Sequence, residues 1–154
     1  MKPSPVDSSN QDDVKRPTFL LIEDDAVDAE AFRRAVKRNQ VDCELVHASD
    51  GGEALEKLRN MVDENDDIGV LAFLDLNMPG LNGHEFLAEV RRDESLKRLA
   101  VFVVTTSRHK RDIALAYDKN VAGYFEKDDL SSVLEIARQF AGRLVFPTLG
   151  GKSD

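Results

Sequence analysis

The sequence is poor in the features that mark several protein classes. A single cysteine, Cys43, in 154 residues excludes an internal disulfide, and no Cys/His cluster has zinc-ligand spacing. Cys43 opens a strand-like run and reads as a small packed hydrophobe rather than a nucleophile. No apolar run approaches the length of a membrane span. The opening stretch MKPSPVDSSNQDDVKRPT lacks the apolar core of a signal peptide. A cytoplasmic protein with no membrane partner is therefore expected. Positive charge is also scarce: 21 Lys and Arg face 29 Asp and Glu, for a net charge of -8. That balance argues against a nucleic-acid partner, because phosphate contacts need clustered Lys and Arg. It suits a basic protein surface or a bound cation.

What the chain does contain is a regular alternation. Residues 1–16, rich in Pro, Ser and Asp, read as a flexible tail. From Thr18 apolar runs alternate with amphipathic segments: TFLLI (18–22), CELVHA (43–48), VLAFL (70–74), AVFVVT (100–105) and VAGYF (121–125) read as strands. Between and after them, apolar residues recur at helical spacing. They are Phe32, Ala35 and Val36; Leu55, Leu58, Met61 and Val62; Phe86, Leu87 and Val90; Ile113, Ala116 and Tyr117; and Leu130, Val133, Leu134, Ala137, Phe140 and Ala141. Five strands alternating with five helices define an α/β fold with a five-stranded parallel sheet covered on both faces. The nearly continuous apolar strands agree, since parallel sheets are buried on both sides. There is no internal repeat. The last segment, 143–154, carries Leu144, Val145, Phe146 and Leu149 around a proline, which is unusually apolar for a terminus.

In a parallel sheet the carboxyl ends of all strands share one edge, where ligands of open α/β folds gather. Strand 1 runs into Glu23-Asp24-Asp25, strand 3 into Asp75, strand 4 ends at Thr105, and Lys127 follows strand 5. Each has an ordinary explanation taken alone: acids favour a helix start, Asp favours a turn, and Thr suits a strand. All of them at equivalent topological positions is a constellation. Crowded carboxylates repel unless a cation is present. Oxygen donors without His or Cys suit a hard ion such as Mg²⁺. A carboxylate beside such a cation, an ammonium and a hydroxyl has the parts that phosphoryl transfer needs, with Asp75 as nucleophile. His47, His84 and His109 have no apparent carboxylate or hydroxyl partner and receive no role. Asp25 is expected to face solvent.

The segments LLIEDD (20–25), LAFLDLNMPGLNGHEFL (71–87), VFVVTTS (101–107) and AGYFEKDD (122–129), in this order and spacing, resemble the receiver domain of two-component response regulators. The resemblance covers 17–142, leaving 143–154 as an apolar arm. It implies a flavodoxin-like sheet of order 2-1-3-4-5. It also implies a signalling protein rather than an enzyme, one that takes a phosphoryl group on Asp75 from a sensor histidine kinase, with Mg²⁺-dependent self-phosphorylation and autodephosphorylation. By the same resemblance Glu23, Asp24, Asp75 and the backbone carbonyl of Asn77 form the metal site. Thr105 and Lys127 contact the phosphoryl group, and Tyr124 changes rotamer with Thr105. Asn77 and Ser107 occupy positions where the family tunes phosphoaspartate lifetime.

Asp128 departs from the proline that usually follows the lysine, which leaves the geometry of that loop open; Asp128 could instead cap the last helix. Within the family the chain is similar to single-domain regulators paired with cyanobacterial and bacterial phytochromes. These imply a homodimer through helix 4, strand 5, helix 5 and the C-terminal arm. Leu115 and Ile136, which lie off the inward stripes of their helices, agree with such an interface. A phosphate sink or scaffold acting mainly through protein binding is the alternative function. An enzyme for a diffusible phosphorylated substrate fits less well, because no lid or substrate-binding insertion accompanies Asp75.

Overall fold

The apolar runs become strands because each is buried on two sides, and the amphipathic segments become helices because each buries one stripe. The computed structural model describes residues 16–65, 67–142 and 149–150. In chain order the elements are β1 (Thr18–Ile22), α1 (Ala26–Arg38), β2 (Glu44–Ala48), α2 (Gly51–Glu64), β3 (Val70–Leu74), α3 (Gly83–Arg92), β4 (Ala100–Thr105), α4 (Lys110–Asp118), β5 (Gly123–Glu126) and α5 (Leu130–Gly142). The strands form one sheet in the order β2-β1-β3-β4-β5, and every pairing is parallel. This is the doubly wound arrangement expected from the sequence. The edge strands are shorter than expected, at 44–48 and 123–126, and β2 is only partly covered.

Alternate residues divide the core into two layers. Phe19, Leu21, Leu71, Phe73, Phe102 and Val104 pack with Phe32, Ala35 and Val36 of α1 and with Val133, Leu134 and Ala137 of α5. Phe73 lies at the centre of this layer, with ring centroids 5.0 Å from Phe19, 4.9 Å from Phe32 and 5.9 Å from Phe102. Leu20, Ile22, Ala72, Leu74, Val101 and Val103 point the other way, towards α2, α3 and Ala116 of α4. Tyr117, grouped with Ala116 from its spacing, is instead 49% exposed, because the short α4 turns little more than Ala116 towards the sheet. The expectation for the Phe140 and Ala141 side chains lies outside the described residues.

Local chemistry sets where the helices begin. The Asp25 carboxylate accepts hydrogen bonds from the backbone N–H groups of Val27 and Asp28, at 2.8 and 3.0 Å. Asp25 is thus exposed, as expected, but also caps α1. Asp50 caps α2 through Glu53 N–H at 2.8 Å. Asn82 and Glu85 form a reciprocal capping box on α3. In the turn after β3, Gly80 has φ of +71°, a conformation that suits glycine. Gly83 lies so close to β3 that a Cβ there would sit 2.6 Å from Leu76 Cα and 2.7 Å from the Asp75 carbonyl. At the opposite end of the sheet, the half-buried Arg91 of α3 donates to four backbone carbonyls: Lys97, Leu99, Lys119 and Asn120. The last two close the C-terminal end of α4.

The two termini are tied down where they are described. Arg16 donates to the Cys43 carbonyl at 2.6 Å and pairs with Asp42; the remainder of the expected 1–16 tail lies outside the described residues. Of the 143–154 arm, Leu149 and Gly150 are described, and Leu149 enters the core of its own chain. Leu149 is 1% exposed within the α2–α3 layer of its own chain. Its N–H donates to the Ile68 carbonyl, and Gly150 N–H to that of Ser95, each at 2.9 Å. The β3 and β4 entry loops leave an apolar recess that Leu149 fills. Leu149→Ala is expected to reduce unfolding free energy by about 2–4 kcal/mol, read as a lower urea midpoint with unchanged slope. An unchanged midpoint would refute this packing.

Candidate functional site at the carboxyl edge of the sheet

Backbone hydrogen bonds continue the ladder one residue past the strands and bring the site residues level. Glu23 N–H donates to Ala48 O at 3.0 Å, Asp75 N–H to Ile22 O at 3.1 Å, and Lys127 N–H to Thr105 O at 3.0 Å. Three strands thus deliver three functional groups through fixed backbone, and Thr105 ends a fourth. Glu23, Asp75 and Thr105 are all buried, at 4%, 5% and 0% exposure.

Asp75 is held from three sides. The Thr105 hydroxyl donates to Oδ1 at 2.9 Å, and Asn77 N–H approaches the same oxygen at 3.2 Å. Lys127 Nζ faces Oδ2 at 3.3 Å. The ammonium also pairs with Glu23 at 2.8 Å and with Asp28 at 2.7 Å. Burial acts to lower the Lys127 pKa, but the hydrogen bonds to Asp28 and Glu23 and the charge of Asp75 outweigh it, so the net shift is upward. Lys127 is therefore firmly charged. Burial pushes the Glu23 carboxyl up to about 7, with the Asp75 charge acting in the same sense. Hydrogen bonds from Lys127 and from Asp25 N–H only partly offset this rise.

A carboxylate that its surroundings make hard to ionise, set beside two others, is the electrostatic signature of a site completed by a cation. Ligand oxygens of Glu23, Asp24 and Asp75 all lie within 4.8 Å of one another, with Asp24 on the solvent side. All the donors are carboxylate oxygens, a set that fits a hard divalent ion. Asn77, exposed beside this cluster, borders an open cleft shared with Thr106, Ser107, Arg108, His109 and Asp112.

Tyr124 is partly buried, and its hydroxyl donates to the Ser107 carbonyl at 3.0 Å. The Ser107 N–H approaches Thr105 Oγ1 at 3.4 Å. Thr105 and Tyr124 thus meet through Ser107. Asp128 lies two residues before α5, which begins at Leu130, and the backbone carbonyl of Asp129 accepts the first helical bond, from Val133 N–H at 3.3 Å. Among the described residues no peptide is cis, and the 127–129 loop closes by a bond from Asp129 N–H to Glu126 O at 3.0 Å.

Two features were missed from the sequence. Asp28, three residues after the cap of α1, reaches across to Lys127, a tertiary contact that local spacing does not reveal. Two of the histidines also have partners. His84 Nε2 lies 2.9 Å from Asp112 Oδ1, and the other Asp112 oxygen accepts from the Ser107 hydroxyl at 2.6 Å. His47 Nε2 lies 2.8 Å from the Glu23 carbonyl. His84 and Asp112 stand 28 positions apart, at the starts of α3 and α4, and only the parallel topology brings them together.

An open parallel sheet with an acid cluster, a hydroxyl and an ammonium at its carboxyl edge defines a phosphoacceptor signalling module. The profile of the response regulator receiver domain matches residues 19–138, and the chain belongs to that family. Response regulator Rcp1 of Synechocystis sp. is 36% identical over 110 residues, covering 71% of this chain and 75% of Rcp1. The crystal structure of phosphorylated RcpA, a cyanobacterial phytochrome response regulator, has a TM-score of 0.73 and 31% identity over 86% of this chain and 99% of RcpA. The Mn²⁺-bound form of Rcp1 has a TM-score of 0.70 and 29% identity over 86% and 99% of the two chains. Among the described residues no helix is long and apolar enough to cross a membrane.

Hydrogen bonds from Ser107 and His84 hold the Asp112 carboxyl below the usual range. A depressed carboxylate stabilises the fold above its unfolded pKa, and that contribution is lost as pH falls through the folded value. In urea titrations between about pH 5 and pH 3, wild type is expected to lose more stability than Asp112→Asn. Parallel losses in the two proteins would contradict the coupling.

Proposed function

We propose that this chain is a cytoplasmic response regulator whose Asp75 accepts a phosphoryl group from the phosphohistidine of a sensor histidine kinase. The observation that carries this reading is the grip on Asp75, by Thr105 and Asn77 on one oxygen and Lys127 on the other. In the transfer an Asp75 oxygen attacks phosphorus, the P–N bond to the kinase imidazole breaks as the P–O bond forms, and the electron pair leaves with the imidazole nitrogen. Fixed at the end of β3, Asp75 is positioned at the open edge of the sheet for attack on phosphorus. Mg²⁺ bound by Glu23, Asp24, Asp75 and the Asn77 carbonyl would offset charge on the transferring oxygens. Thr105 and Lys127 then engage the new phosphoryl oxygens. As Thr105 shifts, its contact with Ser107 changes, and so does the seat of the Tyr124 hydroxyl. This biases the face formed by α4, β5 and α5 between two states.

The likeness to RcpA, a cyanobacterial phytochrome response regulator, supports a phytochrome as the kinase partner. Leu115 and Ile136, each 39% exposed, and Tyr117 support a homodimer through that same face. Sedimentation should give a dimer for wild type and a monomer for Ile136→Asp; equal behaviour would refute the interface. The primary test is intact-protein mass spectrometry after incubation with acetyl phosphate. The expected result is a gain of one phosphoryl group that needs Mg²⁺ and is absent in Asp75→Asn. Labelling of Asp75→Asn to wild-type extent would refute the assignment, and Asp24→Asn is expected to raise the Mg²⁺ requirement at least about tenfold.

A further inference from the structure

We propose that Asp28 is a positioning residue that shares the Lys127 ammonium with Asp75 and so restrains its approach to the acceptor until a phosphoryl group arrives; the inference rests on the phosphoacceptor reading of Asp75. An ammonium has three donors, and here three carboxylates compete for them. The contacts with Asp28 Oδ2 and Glu23 Oε1, at 2.7 and 2.8 Å, have the length of charge-assisted hydrogen bonds, whereas Asp75 Oδ2 stands off at 3.3 Å. Lys127 thus lies closer to Asp28 and Glu23 than to the acceptor, which it still touches.

The three partners are mounted differently. Glu23 and Asp75 sit on the ends of central strands and are almost wholly buried. Asp28 belongs to the first turn of α1, where its N–H is fixed by the Asp25 carboxylate at 3.0 Å. Its side chain is 43% exposed, against 19% for Lys127. Of the three carboxylates Asp28 is therefore the one that water can readily resolvate when the ammonium leaves. Space for the exchange lies on both sides. Asp28 and Lys127 together line a cavity of about 60 Å³ with Glu23, Phe32, Asp75 and Leu130. They also line an open cleft with Thr106, Arg108 and Asp128.

A phosphoryl group on Asp75 brings about two negative charges and several strong acceptors. It competes with the single charge of Asp28 for the same ammonium. Capture of Lys127 by the phosphoryl oxygens then breaks the Asp28 pair, so the strength of that pair is part of the cost of switching. An acid in the first helical turn is also favoured by the positive end of its own helix, and a role confined to that would leave Lys127 unaffected by its loss.

The test separates the two roles. Beryllofluoride, added with Mg²⁺ as the phosphoryl probe, is titrated into full-length wild type, Asp28→Asn, Lys127→Met and the double variant, followed by backbone amide NMR shifts. Half-saturation in Asp28→Asn is expected at a concentration roughly two- to fivefold lower than in wild type, the scale of one partly exposed ion pair. The same substitution in the Lys127→Met background should change nothing. In the metal-free proteins, the Lys127 ammonium ¹H–¹⁵N signal at neutral pH should be present in wild type and weakened in Asp28→Asn. Equal or weaker binding by Asp28→Asn, an effect that survives loss of Lys127, or an unaltered ammonium signal would each overturn the proposal while the phosphoacceptor reading stands. Absence of beryllofluoride binding in wild type would overturn both.

Discussion

One cation among several anions is the constraint on which this edge of the molecule depends. Lys127 is the only ammonium among the described residues that pairs with Glu23, Asp75 and Asp28 at once. Glu23 and Asp75 are both removed from water, and mutual repulsion at that depth is severe. Burial already pushes the Glu23 carboxyl up to about 7, and the Asp75 charge adds to that rise, so a positive partner is needed here. The fold supplies that partner from the far side of the sheet, through a backbone bond between Lys127 and Thr105. Stability and reactivity are therefore opposed: the site is held together by charge it does not fully balance, which leaves it receptive to a further cation and to a phosphoryl group.

The rest of the architecture keeps those groups in register. Parallel pairing places Ile22 beside Leu74 and Thr105 beside Glu126, so the residues that follow emerge at one level. The aromatic layer around Phe73 lies directly under Asp75 in sequence and gives the central strand little freedom to slide. The close approach of Gly83 to the Asp75 carbonyl brings α3 against the same strand end. Asp75 is thus mounted on a central strand that is buried along its whole length, while Asp24, Asp28 and Asn77 sit on more exposed segments around it.

The sheet and the members of the site at strand ends were legible because each follows from periodicity or from topological position, while the strand order came from the resemblance to receiver domains. Glu23, Asp75 and Thr105 need only the rule that parallel strands end together. Asp28 was not legible, since an acid in a first helical turn has a sufficient local explanation and nothing in the spacing points to a lysine 99 positions away. The His84–Asp112–Ser107 contacts escaped for the same reason: each member has an ordinary loop or helix-start role, and only the packing of α3 beside α4 joins them. Leu149 could not be placed because an apolar residue near a terminus carries no period by which to assign a face. The replacement of proline by Asp128 raised a question about a loop that Asp129 and Glu126 answer with one hydrogen bond.

Arg91 gives the α4 helix an unequal suspension. At its lower end the guanidinium clamps the carbonyls of Lys119 and Asn120 to the chain that enters β4, and burial with no carboxylate contact among those bonds makes the clamp rigid in geometry. At its upper end α4 hangs from Asp112, through one serine hydroxyl and one imidazole. Four guanidinium bonds at one end and two side-chain contacts at the other make the amino end of α4, beside Thr105, the easier of the two to displace.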